Sequence, residues 1–268
     1  MGRIPREKIK TLEEERFYHV MSHSVWEARE AFSEKEKSYF VELLKRLSSG
    51  FLVEIISFSV MSNHFHIFLR TKPVRIFTDD EILRRAEIVF KKSTVATKEP
   101  EYWREILGDI SFFMKELKVR FTRWYNKNKS RKGHLWSGRF KAILVENGKS
   151  AVAVSSYIDL NPYRAGIYRD FRNSEFTSIK ERIKKEDTWM VSLDEIYEGL
   201  SLEDYIELLS FLTVEREYNK RGGEQTLNEL VKVCSTYKGK GVVFGSKHFL
   251  ENLKKKLKNN FRTSPLLA

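Results

Sequence analysis

The chain has 268 residues, 41% of them hydrophobic and 13% aromatic, so it has the means to bury a full core and is not a disordered polypeptide. Its net charge of +12, with 32% of residues charged, points to a polyanionic partner, nucleic acid before an anionic membrane surface. The single cysteine, Cys234, excludes an intrachain disulfide and a cysteine metal site, and no apolar run approaches the roughly 20 residues that span a bilayer.

Residues 1–15 are polar and charged and read as a loose arm without a secretory pattern, which fits a cytoplasmic protein. Arg16 to Val25 reads as a first strand. Ser33-Glu34-Lys35-Glu36 is a capping box, and Phe40, Leu43, Leu44 and Leu47 follow it at helical spacing. Phe51 to Val60 and His64 to Arg70 read as the strands of a hairpin, with Met61-Ser62-Asn63 as the turn. Thr78-Asp79-Asp80-Glu81 opens a helix to about Lys92, and Asp109 to about Asn126 forms another. Gly138 to Glu146 reads as a further strand. Ser150 caps a helix to about Asn161, with Pro162 marking its end. Sheet strands mixed with helices predict an α+β fold, an antiparallel sheet covered by helices on one face. From about residue 190 four helical segments follow, Leu193–Leu200, Leu202–Leu212, Thr226–Ser235 and Ser246–Leu257, broken at Gly222-Gly223 and Gly239-Lys240-Gly241. They read as a separate C-terminal unit over 190–268.

Two short segments carry chemistry. In Met61-Ser62-Asn63-His64-Phe65-His66, a strand puts both imidazoles on one face, about 6.5 to 7 Å apart, where one divalent ion can bridge them. Such a pair by itself is weak evidence, because His-x-His also occurs by chance on exposed strands. In Tyr157-Ile158-Asp159-Leu160-Asn161-Pro162, a helix puts Tyr157 and Asn161 on one face. Two imidazoles, one amide oxygen and a phenol make a kit for breaking a phosphodiester with a tyrosine nucleophile. The neutral ligand set suits Mg or Mn. The plain alternative makes Tyr157 a core residue and Asn161 a helix end. Tyr125 is the rival nucleophile, but the residue one turn on is Lys129, which cannot ligate a metal as a cation. The densest nucleic-acid pattern is Arg123, Lys127, Lys129, Arg131, Lys132, Arg139 and Lys141, interleaved with Trp124, Tyr125, Trp136 and Phe140. His134 lies within it. Arg164, two residues past Pro162, is set to hold a phosphate near the tyrosine. Lys254, Lys255, Lys256, Lys258 and Arg262 form a second basic patch.

These residues resemble a known family. Met61-Ser62-Asn63-His64-Phe65-His66 resembles the HUH signature, with Phe65 as its middle residue. Gly133-His134-Leu135-Trp136-Ser137-Gly138-Arg139-Phe140 and Tyr157-Ile158-Asp159-Leu160-Asn161-Pro162-Tyr163-Arg164-Ala165-Gly166 resemble two further stretches of the REP-associated tyrosine transposases, single-tyrosine members of the HUH superfamily. The resemblance covers about residues 16 to 180. It implies a ferredoxin-like (RRM-like) catalytic domain over 16–185 with the histidine pair on a central strand. It also implies Mg- or Mn-dependent cleavage and rejoining of single-stranded DNA near a hairpin, through a 5′-phosphotyrosine. By motif position Tyr157 is the nucleophile and His64, His66 and Asn161 are the metal ligands. Ser62 stands where the family often has Pro, and the helices after about residue 190 lie outside its minimal domain. Gly245-Ser246-Lys247-His248-Phe249 resembles a segment of longer members.

Two other readings stand beside this one. One is a non-catalytic binder of structured single strands, DNA or RNA, reusing the sheet; such a binder gains nothing from keeping His64, His66, Tyr157 and Asn161 together. The other is a regulator that grips duplex DNA through the C-terminal helices. Monomer and homodimer are equally compatible with the sequence.

Overall fold

A computed structural model of the chain describes residues 12–25, 32–213 and 225–259. Most of the expected arm, the Gly222-Gly223 break, and the side chains of Lys254, Lys256, Lys258 and Arg262 lie outside the described residues.

Alternation organises the sheet. In β1 (Arg16–His23), Tyr18 and Val20 pack on one face while Phe17 and Met21 pack on the other, and His19 and His23 share the second parity. β2 (Val53–Val60) and β3 (His64–Thr71) form the expected hairpin, closed by Met61 N–H donating to the His64 carbonyl at 2.8 Å. β4 (Lys141–Val145) pairs antiparallel with β1. Val243–Phe244 (β5), which no sequence pattern announces, adds parallel to β4. The sheet order among the described residues is β2-β3-β1-β4-β5.

Helices start where local chemistry caps them. α1 (Glu34–Gly50) has the full capping box, with the Ser33 and Glu36 side chains satisfying each other's backbone. α2 (Asp79–Val89) has the same device at Thr78 and Glu81. Two short helices absent from the sequence reading follow, α3 (Lys92–Val95) and α4 (Pro100–Gly108), the latter with Pro in its first turn. α5 (Ile110–Asn128) is capped by Asp109, whose carboxylate accepts from Ser111 N–H at 2.6 Å. α6 (Lys149–Asp159) starts after Gly148 at φ 75°, so Ser150 sits inside the first turn rather than capping it. Pro162 does not end the run. It lies in the first turn of α7 (Asn161–Arg164), where a missing N–H costs no hydrogen bond. α8 (Ser178–Lys184) and the short α9 (Leu193–Ile196) follow. The C-terminal part comprises α10 (Leu202–Thr213), α11 (Gln225–Thr236) and α12 (Lys247–Asn259).

The succession β1-α1-β2-β3-α5-β4 with this strand order is the ferredoxin-like split βαβ arrangement, and the chain is an α+β protein. One core lies between the sheet and α1 and α5, built on Phe40, Leu44, Phe65, Phe113 and Phe121. That is the helical layer expected from the sequence. A second core fills the opposite face, where Phe17, Ile56, Phe68 and Ile143 meet Val154 and Ile158 of α6, and Leu208, Leu209 and Leu230 close over them. Of the C-terminal helices, α10 and α11 therefore cover the sheet face that carries the histidines, while Leu253 of α12 joins the first core.

Candidate active site

His64 and His66 leave β3 on the α6 side because they share parity with Phe68, which packs there. Across the strand pair His23 stands opposite His64, their rings stacked at 4.8 Å, and Met21 stands opposite His66. α6 crosses this face and brings the Tyr157 ring to 5.8 Å from that of His66. One helical turn on, the Asn161 side chain hydrogen-bonds His64. The spacing of four thus survives the joint between α6 and α7, because Leu160 keeps helical φ and ψ.

Both imidazoles are held in the neutral form. His64 Nδ1 lies 2.7 Å from Asn63 Oδ1. In the tautomer that donates Nδ1–H to this oxygen, Nε2 keeps its lone pair. Burial first, then the neighbouring His23, lowers the His64 pKa to about 4. Burial and the surrounding imidazoles hold His66 well below the ordinary value. Both rings are neutral at pH 7, the form that binds a metal. Among the described residues no group of three His, Cys, Asp or Glu is placed to hold a metal. A metal bound here would take its third protein donor from the Asn161 amide, a neutral set that would suit a divalent cation with positions left for other oxygens.

Tyr157 is half-buried. Burial raises its phenol pKa, partly opposed by the Arg164 guanidinium 5.9 Å from the ring centre. Its edge meets the Tyr237 ring at 5.2 Å. Gly239, at φ +64°, lies so close that an added Cβ would stand 2.7 Å from the Tyr157 hydroxyl. Asp159, facing away from the cluster, anchors the helix. Its carboxylate is buried and accepts from Ser178 Oγ at 2.5 Å, Ile179 N–H at 2.8 Å and Tyr205 Oη at 2.8 Å.

Tyr125 belongs to the opposite core, packed against Phe32 and Phe121, and takes no part in this cluster. Arg123, Lys127, Lys129, Lys132, His134, Arg139, Lys141 and Arg164 are exposed, and Arg131 is half-buried over the Tyr125 ring. Lys129 is paired with Glu36 at 3.2 Å. Trp136 packs into the first core. It is nine-tenths buried among Phe32, Phe65 and Phe121, and its indole N–H donates to the Lys118 carbonyl at 3.2 Å. Its remaining edge lines an open cleft of about 480 Å³ with Lys115, Lys118, Arg123, His134 and Arg139. This basic segment runs beside the site: Ser24 bridges Trp136, and Lys141 lies opposite Met21 on the histidine face.

No family model and no curated protein matches the sequence. One solved structure that is similar is a REP-associated tyrosine transposase bound to a REP hairpin. It shares 14% identity at a TM-score of 0.45, over 64% of this chain and 81% of that one.

Three residues at the site are absent from the sequence reading. His19 and His23 follow the same parity along β1, a pattern readable once the strand is given a face. His19 Nε2 lies 2.9 Å from His66 Nδ1, and His19 Nδ1 lies 2.5 Å from the Tyr237 hydroxyl. Tyr237 arrives from the end of α11, and nothing in its neighbouring sequence marks it.

Proposed function

We propose that the protein is a metal-dependent endonuclease and strand transferase acting on single-stranded DNA at hairpin sequences, a REP-associated tyrosine transposase in type. The observation that carries this reading is the convergence of His64 and His66 of β3, Tyr157 of α6 and Asn161 of α7 onto one patch of one sheet face. The three motifs quoted from the sequence support it independently.

In this reading His64 and His66 present Nε2 and Asn161 its amide oxygen to Mg or Mn. The ion, when bound, withdraws charge from the scissile phosphate and favours the phenolate nearby. Tyr157 gives up its phenol proton and its oxygen forms a bond to phosphorus. The bond from phosphorus to the 3′ oxygen breaks, and that oxygen takes a proton to become a free 3′ hydroxyl. The 5′ phosphate stays on Tyr157 until a 3′ hydroxyl attacks it and reverses the exchange. Arg164 lies beside the tyrosine ring to hold the phosphate, and the exposed cations from Arg123 to Lys141 track the strand. Neutral imidazoles serve this chemistry because they leave the cation its charge.

The test is a covalent-adduct assay. Purified full-length protein and its Tyr157→Phe variant are mixed with labelled single-stranded hairpins drawn from around its own gene, with Mn or EDTA, and resolved on a denaturing gel. The expected result is a metal-dependent shifted band that the variant lacks while still binding the hairpin. An adduct retained in the variant would reject Tyr157. Hairpin binding with no adduct in either protein would favour the non-catalytic binder.

A further inference from the structure

We propose that His19 and Tyr237 are positioning residues for the metal site, forming with His66 a buried hydrogen-bonded chain that holds His66 Nε2 ready to ligate, so that the C-terminal extension is a working part of that site. The proposal rests on reading His66 as a metal ligand. Its own support is the chain His66 Nδ1 to His19 Nε2 at 2.9 Å and His19 Nδ1 to Tyr237 Oη at 2.5 Å. His19 is fully buried, and Tyr237 is 3% exposed.

A neutral imidazole has one donor and one acceptor, so a chain through two of them has only two proton arrangements. In one, His66 carries its proton on Nδ1 and donates to His19 Nε2. His19 then carries its proton on Nδ1 and donates to the Tyr237 oxygen, and His66 Nε2 is bare. In the other, Tyr237 donates to His19, His19 donates to His66, and His66 holds its proton on Nε2, where it blocks a metal. Ligation demands the first arrangement. That arrangement needs an acceptor beyond His19, and the Tyr237 phenol oxygen is the group beside its Nδ1.

A buried tyrosine hydroxyl is a costly way to fill space that a phenylalanine ring also fills. Its place at the end of the chain gives it a reason. Removing the oxygen leaves the His19 Nδ1–H without a partner in the ligating arrangement. The chain then turns round, with His19 Nε2–H donating to His66 and Nε2 of His66 protonated. Tyr237 reaches this point because α11 packs across α6, its Cys234 thiol within 3.8 Å of the Ser156 hydroxyl, and the chain leaves the helix directly over β1. Residues more than two hundred positions apart therefore share one ligand's orientation.

The test uses the full chain without DNA. Mn binding is measured by calorimetry for wild type, Tyr237→Phe, His19→Gln, His19→Leu and His66→Ala, with thermal melting to verify folding. The His66 ring nitrogens are read by NMR in the metal-free protein. Tyr237→Phe should bind Mn on the order of tenfold more weakly, and His19→Leu tenfold to a hundredfold. His19→Gln should stay near wild type, because its amide oxygen accepts the His66 proton. In wild type the His66 proton should appear on Nδ1. A folded Tyr237→Phe that binds Mn as tightly as wild type, with His66 nitrogens unchanged, overturns the proposal while leaving the metal site standing. If wild type binds no Mn, or His66→Ala binds it equally, the metal reading itself fails.

Discussion

Asp159 stands between the proposed nucleophile and the proposed amide ligand on the same helical run, and its replacement tests whether that run is held as the structure indicates. Three donors meet its buried carboxylate: the Ser178 hydroxyl, the Ile179 amide and the Tyr205 hydroxyl. Asp159→Ala leaves all three without this partner in a site closed to water. Each buried donor so orphaned costs about 1–3 kcal/mol, and losing a carboxylate that had to be desolvated offsets part of the sum. Tyr205 has a second partner in Ser156, which reduces its share. The net expectation is about 3–5 kcal/mol of lost stability. Asp159→Asn should behave differently. Burial raises the Asp159 pKa against the three donors and Arg182, and an amide of the same shape avoids that desolvation. An amide oxygen keeps Ser178 and Ile179, and the Tyr205 hydroxyl rotates to accept from the amide NH2. The expected cost is about 1 kcal/mol. Urea unfolding of the three proteins at pH 7 provides the assay, with adduct yield measured at a temperature where all are folded. The Ala variant should also lose adduct, since Tyr157 and Asn161 lose their common anchor. An Ala variant within 1 kcal/mol of wild type, or an Asn variant as damaged as Ala, would refute the reasoning.

Acid should destabilise the fold well before the carboxylates titrate. Burial lowers the pKa of His19 to about 3 and of His64 to about 4, and holds His66 well below the ordinary value. Below the ordinary value near 6.5 the unfolded chain takes up protons that the folded chain refuses. Stability is full above that pH and falls as pH drops toward 4, by up to about 1.4 kcal/mol per pH unit for each histidine. Equal urea midpoints at pH 7 and pH 5 in metal-free protein would contradict this. Gly239→Ala forces a side chain into φ +64° and against the Tyr157 hydroxyl. It should cost about 1–2 kcal/mol and slow adduct formation, and an unchanged adduct rate would mean that Tyr157 is not held there. Arg139→Ala and Lys141→Ala should weaken hairpin binding without touching the fold, each lowering the slope of log affinity against log salt by about 0.7. Unaltered salt slopes would take the strand elsewhere.

Much of this molecule is written locally. The capping boxes at Ser33 and Thr78 join residues three apart, and the alternation in β1, β2 and β3 needs only neighbours, so those elements stand where the sequence puts them. The same holds for the two halves of the site, His64 with His66 on a strand and Tyr157 with Asn161 on a helical face. Helix starts without a side-chain cap, such as α6 behind Gly148, and two-residue strands such as β5 leave no pattern to read. Sequence cannot tell an aromatic exposed in a basic loop from one folded inward, as Trp136 is. What tertiary structure decides is which local pieces meet. Strand order sets His19 diagonally across from His66, the packing of α6 on the sheet brings Tyr157 to the histidines, and the wrap of α11 brings in Tyr237. Those meetings follow from burying two whole faces of a sheet at once, a requirement shared among residues far apart in the chain and therefore spelled out at no single position.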